Sequence, residues 1–253
     1  GKIVVAGSAF DGTRRNFALV RLTAAGVLDT TFNATGVTRI AFRVPNQDFA
    51  FGSEAWSVAI QGNGAILAAG DFDGGRGFAL ARLTPQGVLD PTFGVLDPGF
   101  GGTGMLVTPP LASSEGARSV AVQADGRIVV IGNSGTRSRA LRYSAGGTAE
   151  PDLADVLGAP SVANAVALQP DARIVVAGGN GSKPSLALGR ILPDGSADLA
   201  FGDSGSASVP AGRTEDIGRA LAIQHDGKLV SAGRSVIRWL GPGSRNVLTR
   251  HNG

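Results

Sequence analysis

The chain has 253 residues, 43% hydrophobic and 17% charged, which is enough apolar sequence for a sizeable core and too little charge for a disordered chain. Its 23 Lys and Arg against 20 Asp and Glu leave a net charge of +3, and the arginines are dispersed, not gathered into the basic patch of a nucleic-acid binder. There is no Cys, so disulfides, thiolate zinc sites and thiol nucleophiles are excluded, and no apolar run approaches the roughly 18 residues of a membrane helix.

Along the chain one phrase recurs. GKIVVAG opens it, SVAIQGNGAILAAG starts at Ser57, SVAVQADGRIVVIG at Ser119, AVALQPDARIVVAG at Ala165 and ALAIQHDGKLVSAG at Ala220. The anchors Gly1, Gly64, Gly126, Ala172 and Gly227 lie 63, 62, 46 and 55 residues apart. A variable, Gly-rich stretch follows each copy, then an apolar run ending in Arg: FALVRLTAAG, FALARLTPQG, RALRYSAGG, LALGRILPDG and SVIRWLGPG. Arg21, Arg82, Arg142, Arg190 and Arg238 each precede a Gly by five positions. Three residues beyond that Gly sits Asp29, Asp90, Glu150 or Asp198, with Asn246 in the fifth copy.

The pattern predicts four short strands per repeat. Strand a is the run of the SVAVQ type and strand b the run of the RIVVIG type. An Asp-Gly turn joins them, where the chain needs a residue that accepts positive φ. Strand c is the FALARL run, and strand d the weaker run of GVTRIAF or GMLVT. Helix is excluded by the Gly interruptions, the β-branched runs and the missing 3.6-residue period. On strand a, Val58 and Ile60 face one way and Ala59 the other, with the same split in the other copies, which predicts a strand buried on both faces. Four-stranded antiparallel units repeated in this way predict an all-β fold, a β-propeller of about five blades in one domain over 1–253. A β-sandwich does not require the same hairpin in every repeat.

These phrases resemble the delta-60 repeat, whose layout is distantly similar to that of NHL-repeat propellers. The likeness is carried best by AVALQPDARIVVAG, GKIVVAG, FALVRLTAAGVLDTTF and FALARLTPQGVLDPTFG, and less well by the third and fifth copies. The resemblance implies a propeller in an exported or cell-surface bacterial protein. It supplies no catalytic residues. Both ends of the sequence fall within a repeat, so the chain reads as part of a longer array.

The recurring Arg–acid pairs, Arg21/Asp29, Arg82/Asp90, Arg142/Glu150 and Arg190/Asp198, read as one structural bridge per blade, because one per repeat is too regular for catalysis. Gln61, Gln123, Gln169 and Gln224 read as side chains that bond the backbone of the a–b turn. DFDGG at Asp71–Gly75 offers too few oxygens for calcium, and the Gly runs lack a following Lys-Ser/Thr for phosphate. The two histidines, His225 and His251, stand apart from any Ser–Asp set, so no catalytic residue is nominated. The low-symmetry residues of the b–c loops are the binding candidates: Asp11, Arg14, Arg15, Asp73, Arg76, Arg137, Arg139 and Lys183. The sequence therefore reads as a noncatalytic binding or structural module facing a protein or glycan, with no metal, cofactor, nucleic acid or membrane insertion. The alternative is a hydrolase or lyase working at a central channel.

Overall fold

The computed structural model describes residues 1–42, 52–95, 97, 99–181, 185–209, 215–239 and 241–251. Among the described residues every regular element is a strand, and each copy of the repeat becomes one antiparallel sheet. The first sheet runs β1 (Ile3–Phe10), β2 (Arg15–Leu22), β3 (Val37–Ile40). The second runs β4 (Glu54–Ile60), β5 (Ile66–Asp71), β6 (Phe78–Leu83), β7 (Met105–Thr108). The third holds β8 (Glu115–Val122), β9 (Ile128–Ser134) and β10 (Arg137–Tyr143). The fourth runs β11 (Ser161–Leu168), β12 (Ile174–Asn180), β13 (Ser185–Ile191), β14 (Ser206–Val209), and the fifth β15 (Glu215–Ile223), β16 (Leu229–Trp239), β17 (Gly241–His251). In the second and fourth sheets strands a to d follow one another as the phrases predict.

Two compact units are present, Gly1–Ile128 with Tyr143–Glu150, and Val129–Arg142 with Pro151–Gly253. In the first unit Phe17, Phe42, Phe72 and Phe100 meet edge to face at 4.9–6.3 Å, the geometry favoured by ring quadrupoles. Around them pack Leu19, Ile40, Ile66 and Leu83. In the second unit both faces of β12 are buried. Ile174 and Val176 join Val129, Ile131 and Leu157 on one side, and Val175 and Ala177 join Leu188, Phe201 and Leu229 on the other. Each such large apolar side chain contributes about 1.5–3 kcal/mol when fully buried, and strand b shares this role with the equally buried strand c.

Strand a differs from expectation. It is an edge strand and only half-buried, with Ile60 52% exposed, whereas Ile66 and Leu67 on β5 are closed off from solvent. The first sheet has no inner strand among the described residues, and its strand b, β1, exposes Ile3 and Val5.

Strand a is also longer than the phrase and carries a bulge. The register of β4 against β5 shifts between Ala55 and Ser57, leaving Trp56 as the extra residue. The shift recurs in β11 between Ala163 and Ala165, and in β15 between Gly218 and Ala220. The Gly that closes the phrase makes room for it in these three copies. A Cβ on Gly70 would lie 2.8 Å from the Glu54 carbonyl carbon and 2.9 Å from Ala55 Cα, closer than real Cβ atoms approach. Gly178 faces Val162 and Ala163, and Gly233 faces Ile217 and Gly218, in the same way. The conformation at Gly70 is ordinary, so the requirement is for space alone.

Two further readings are corrected. Arg15, Arg137 and Arg139 were placed in b–c loops, but they lie in β2 and β10, because these connections are tight: only Gly135 and Thr136 join β9 to β10. In the fifth copy strand b continues without a break to Trp239, so Arg238 lies in β16, not in a strand c, and Asn246 pairs across to Arg234 in the hairpin with β17.

Candidate functional site

The recurrent charges form an Arg–Asp cluster in the first, second and fourth repeats. At the end of β2, Arg21 Nε donates to Asp29 Oδ2 at 2.7 Å, and Nη2 reaches Thr31 Oγ1 at 3.2 Å. The Thr31 hydroxyl donates to the other Asp29 oxygen at 2.6 Å, and the guanidinium lies 4.6 Å over the Phe32 ring. Its Nη1 donates to the Pro85 carbonyl in the c–d turn of the next repeat. Arg82 repeats the set with Asp90 at 2.9 Å, Thr92 at 2.8 Å, Phe93 at 4.9 Å and the Ala145 carbonyl at 2.6 Å. In the second unit Arg190 bonds Asp198 at 2.8 Å and covers Phe201 at 4.5 Å, and Arg142 donates to the Pro193 carbonyl at 2.8 Å. Each buried guanidinium thus has an anion, an aromatic face or a carbonyl in the next repeat.

The Gly five residues after the Arg is explained by the same contact. A Cβ on Gly87 would meet the Phe32 ring at 2.5 Å, and one on Gly147 the Phe93 ring at 2.8 Å. Both glycines also hold positive φ, +86° and +88°.

The carboxyls in these clusters sit below the ordinary carboxylate range. At Asp29 the Lys2 ammonium and the Thr31 hydroxyl do this. At Asp90 burial opposes ionisation, but Thr92 and Arg82 outweigh it; at Asp198 burial is likewise outweighed, by Arg190 and the Ala200 N–H. Such groups hold charge firmly and are poor proton shuttles.

The Gln reading is corrected. The side-chain Oε1 atoms of Gln61, Gln123 and Gln169 are buried and accept no hydrogen bond from described residues. The turn is built by the backbone, with Gln123 N donating to Arg127 O at 2.8 Å, and by the neighbouring Asp125, whose Oδ1 accepts Arg127 N at 3.0 Å. Asn63, Asp171 and Asp226 do the same in their copies.

The predicted binding residues divide by how committed they are. Asp11 is a turn residue: it accepts from the Thr13 hydroxyl and from the N–H groups of Thr13 and Arg14, and from Asn16, and these bonds, the Thr13 hydroxyl foremost, depress its pKa. Asp73 is buried beside Arg76 at 3.3 Å, Arg15 pairs with Glu54 at 3.1 Å, and Arg139 with Asp152 at 3.1 Å. The side chains of Arg14 and Arg137 make no hydrogen bond or ion pair with described residues, and Arg76 is largely exposed. Lys183 lies outside the described residues. In the second unit an open cleft of about 420 Å³ is lined by Thr136, Ser161, Asn180, Gly181 and Asp216. Among the described residues no group of three or more Asp, Glu or His is placed to hold a metal ion.

Sequence reasoning missed Trp56. It is half exposed, its indole N–H donates to Asp71 Oδ1 at 3.1 Å, and the Arg118 guanidinium lies 4.8 Å over its ring. The signal lay one residue ahead of the repeated phrase. Trp56, Arg118, Asn164 and Arg219 occupy equivalent positions that hold three different residue types, although the scaffold around them repeats.

Solved structures with the same fold include one described as a streptogramin B lyase, at 13% identity, with a TM-score of 0.52 over 99% of this chain and 73% of that one. Hydrazine synthase of Kuenenia stuttgartiensis is similar at 10% identity, with a TM-score of 0.56 over 95% of this chain and 60% of that one. A protein of unknown function from Bacteroides caccae is 12% identical, with a TM-score of 0.50 over 99% and 72% of the two chains. Likeness at this level concerns the fold alone. No match was found among curated protein sequences. The family model described as "Domain of unknown function (DUF5122) beta-propeller" matches residues 1–32, 61–93, 123–152 and 169–201, the stretches that hold the b strands and Arg clusters, and the chain belongs to that β-propeller family.

Proposed function

We propose that the chain is a noncatalytic binding module of an exported or cell-surface protein, presenting the b–c ends of its sheets to an acidic protein or glycan surface. One observation supports this reading. The recurrent charged side chains are used up in internal clusters, while arginines with no bonded partner among described residues stand outside them: Arg14 and Arg137 at the b–c ends, and Arg118 and Arg219 on strand a. Uncommitted guanidiniums on strands and on short turns recognise carboxylate, sulfate or phosphate groups at little entropic cost.

The test is an array of acidic and neutral glycans and peptides, probed with the whole chain and with an Arg14→Gln/Arg137→Gln variant, followed by mass analysis of the bound ligand. Salt-sensitive binding that weakens in the variant, with ligand recovered intact, supports the module. Cleaved ligand would overturn it in favour of a hydrolase or lyase.

A further inference from the structure

The bulge on β4 places Trp56 where its side chain has a fixed pose and an open surface. The indole is held at its edge by Asp71 and on one face by Arg118, yet half of the residue remains exposed. The holders are themselves fixed. Asp71 Oδ1 also accepts the Glu54 N–H at 3.2 Å, and Gly116 lets β8 pass close beside the Asp71 side chain. Val120 N, two residues after Arg118, donates to Ser57 Oγ at 3.1 Å, next to Trp56.

Their remaining hydrogen-bonding capacity is unspent. The Arg118 guanidinium makes no hydrogen bond or ion pair with any described residue, and Asp71 Oδ2 accepts none. The cluster therefore offers a flat apolar surface, a fork of cationic donors and an anionic acceptor within one patch. A nonpolar ligand would leave the fork and the carboxylate unmatched, and a plain anion would not use the indole. A sugar ring bearing a carboxylate matches all three, with its C–H face on the indole, its carboxylate on Arg118 and a hydroxyl donating to Asp71.

We propose that Trp56, Arg118 and Asp71 form a subsite for an acidic saccharide, a hexuronate ring. This rests on the binding-module reading and names the ligand class at one blade. At the equivalent position of the second unit Arg219 is exposed, whereas the Asn164 amide is committed to Gly218 O at 2.8 Å. Bulges serve to re-aim single side chains in this way.

The experiment is calorimetric titration of the whole chain with trigalacturonate and with a neutral galactose trisaccharide. The expected result is binding of the acidic sugar that weakens at least about tenfold in Trp56→Ala and is largely restored in Trp56→Phe. Arg118→Gln should bring the acidic sugar down to the level of the neutral one, with the melting temperature kept. Equal binding by wild type and Trp56→Ala, or no heat from the wild type up to about 10 mM sugar, overturns the subsite. Array binding that depends on Arg14 and Arg137 but involves no uronate would sink this inference and leave the binding module standing. Intact uronate binding through Trp56 without any Arg14 or Arg137 dependence would do the reverse to the loop-end reading.

Discussion

Alanine at Gly70 should be far more damaging than alanine at Gly7, although both close the same repeated phrase at the end of strand b. At Gly7 a Cβ would meet nothing within 4 Å, because among the described residues no strand pairs with the outer edge of β1. At Gly70 it would come within 2.8 Å of the Glu54 carbonyl carbon, where ordinary contact begins at 3.4 Å, and closer still to the carbonyl oxygen. The β4 bulge has to move. Overpacking of this kind costs about 1–3 kcal/mol. The movement also strains the two bonds to Asp71 Oδ1, from Glu54 N and Trp56 Nε1, at about 1 kcal/mol each. The expected loss is about 3–5 kcal/mol, or roughly 6–20 °C of melting temperature for a chain of this size. Gly7→Ala should be neutral or stabilising by up to about 1 kcal/mol, since it only restricts the unfolded chain. Thermal melts followed by circular dichroism compare the two. Equal shifts for both variants would refute the claim that the Gly exists to clear the bulge.

Arg82→Ala should lower stability by about 1–3 kcal/mol, because it leaves the partly buried Asp90 carboxylate and the Ala145 carbonyl without their shared donor; chemical denaturation measures this, and an unchanged midpoint would show the cluster to be passive. Stability should also depend on pH in the acid range. The Asp29, Asp90 and Asp198 carboxyls titrate lower in the folded chain than unfolded, so their contribution is full above the unfolded value of about 3.9 and is lost as pH falls through the folded values. Melting temperature should be level from neutral pH down to about 5 and should drop below about 4, and a flat profile to lower pH would contradict the assignment.

The repeated hairpin, the order of strands within a sheet and the positions of β3 and β7 were legible in the sequence, because apolar alternation and turn residues act locally, whereas the short SASV run of β14 gives no such signal. The Arg–acid spacing and the bridge it makes were legible as well, but the rest of the cluster was not. Phe32, Phe93, Thr31 and Thr92 belong to the same cluster, and Gly87 and Gly147 are where the aromatic ring of the preceding repeat lands. Those contacts join residues about a repeat apart, and period alone does not reveal which parts of two repeats touch. The loop assignment failed at Arg15, Arg137 and Arg139 because polar composition was taken for loop, whereas an edge-facing residue at the start of a strand is just as polar.

Recurrence explains both the rigidity of the chain and where its individuality sits. A residue that recurs in each copy must satisfy the same neighbours each time, and the Arg, Asp, Phe and Gly of the clusters are each fixed by contacts inside the repeat or to the next one. The bulge residue is released from that constraint. Its backbone is set by the Gly across from it at 70, 178 and 233, so the side chain is free to differ while its pose is kept. Trp56, Arg118, Asn164 and Arg219 put three chemistries at one repeated position, held on strands and not on loops. Strand-borne side chains are placed more exactly than loop-borne ones, so specificity is better sought along the inner strands than in the short turns beyond them.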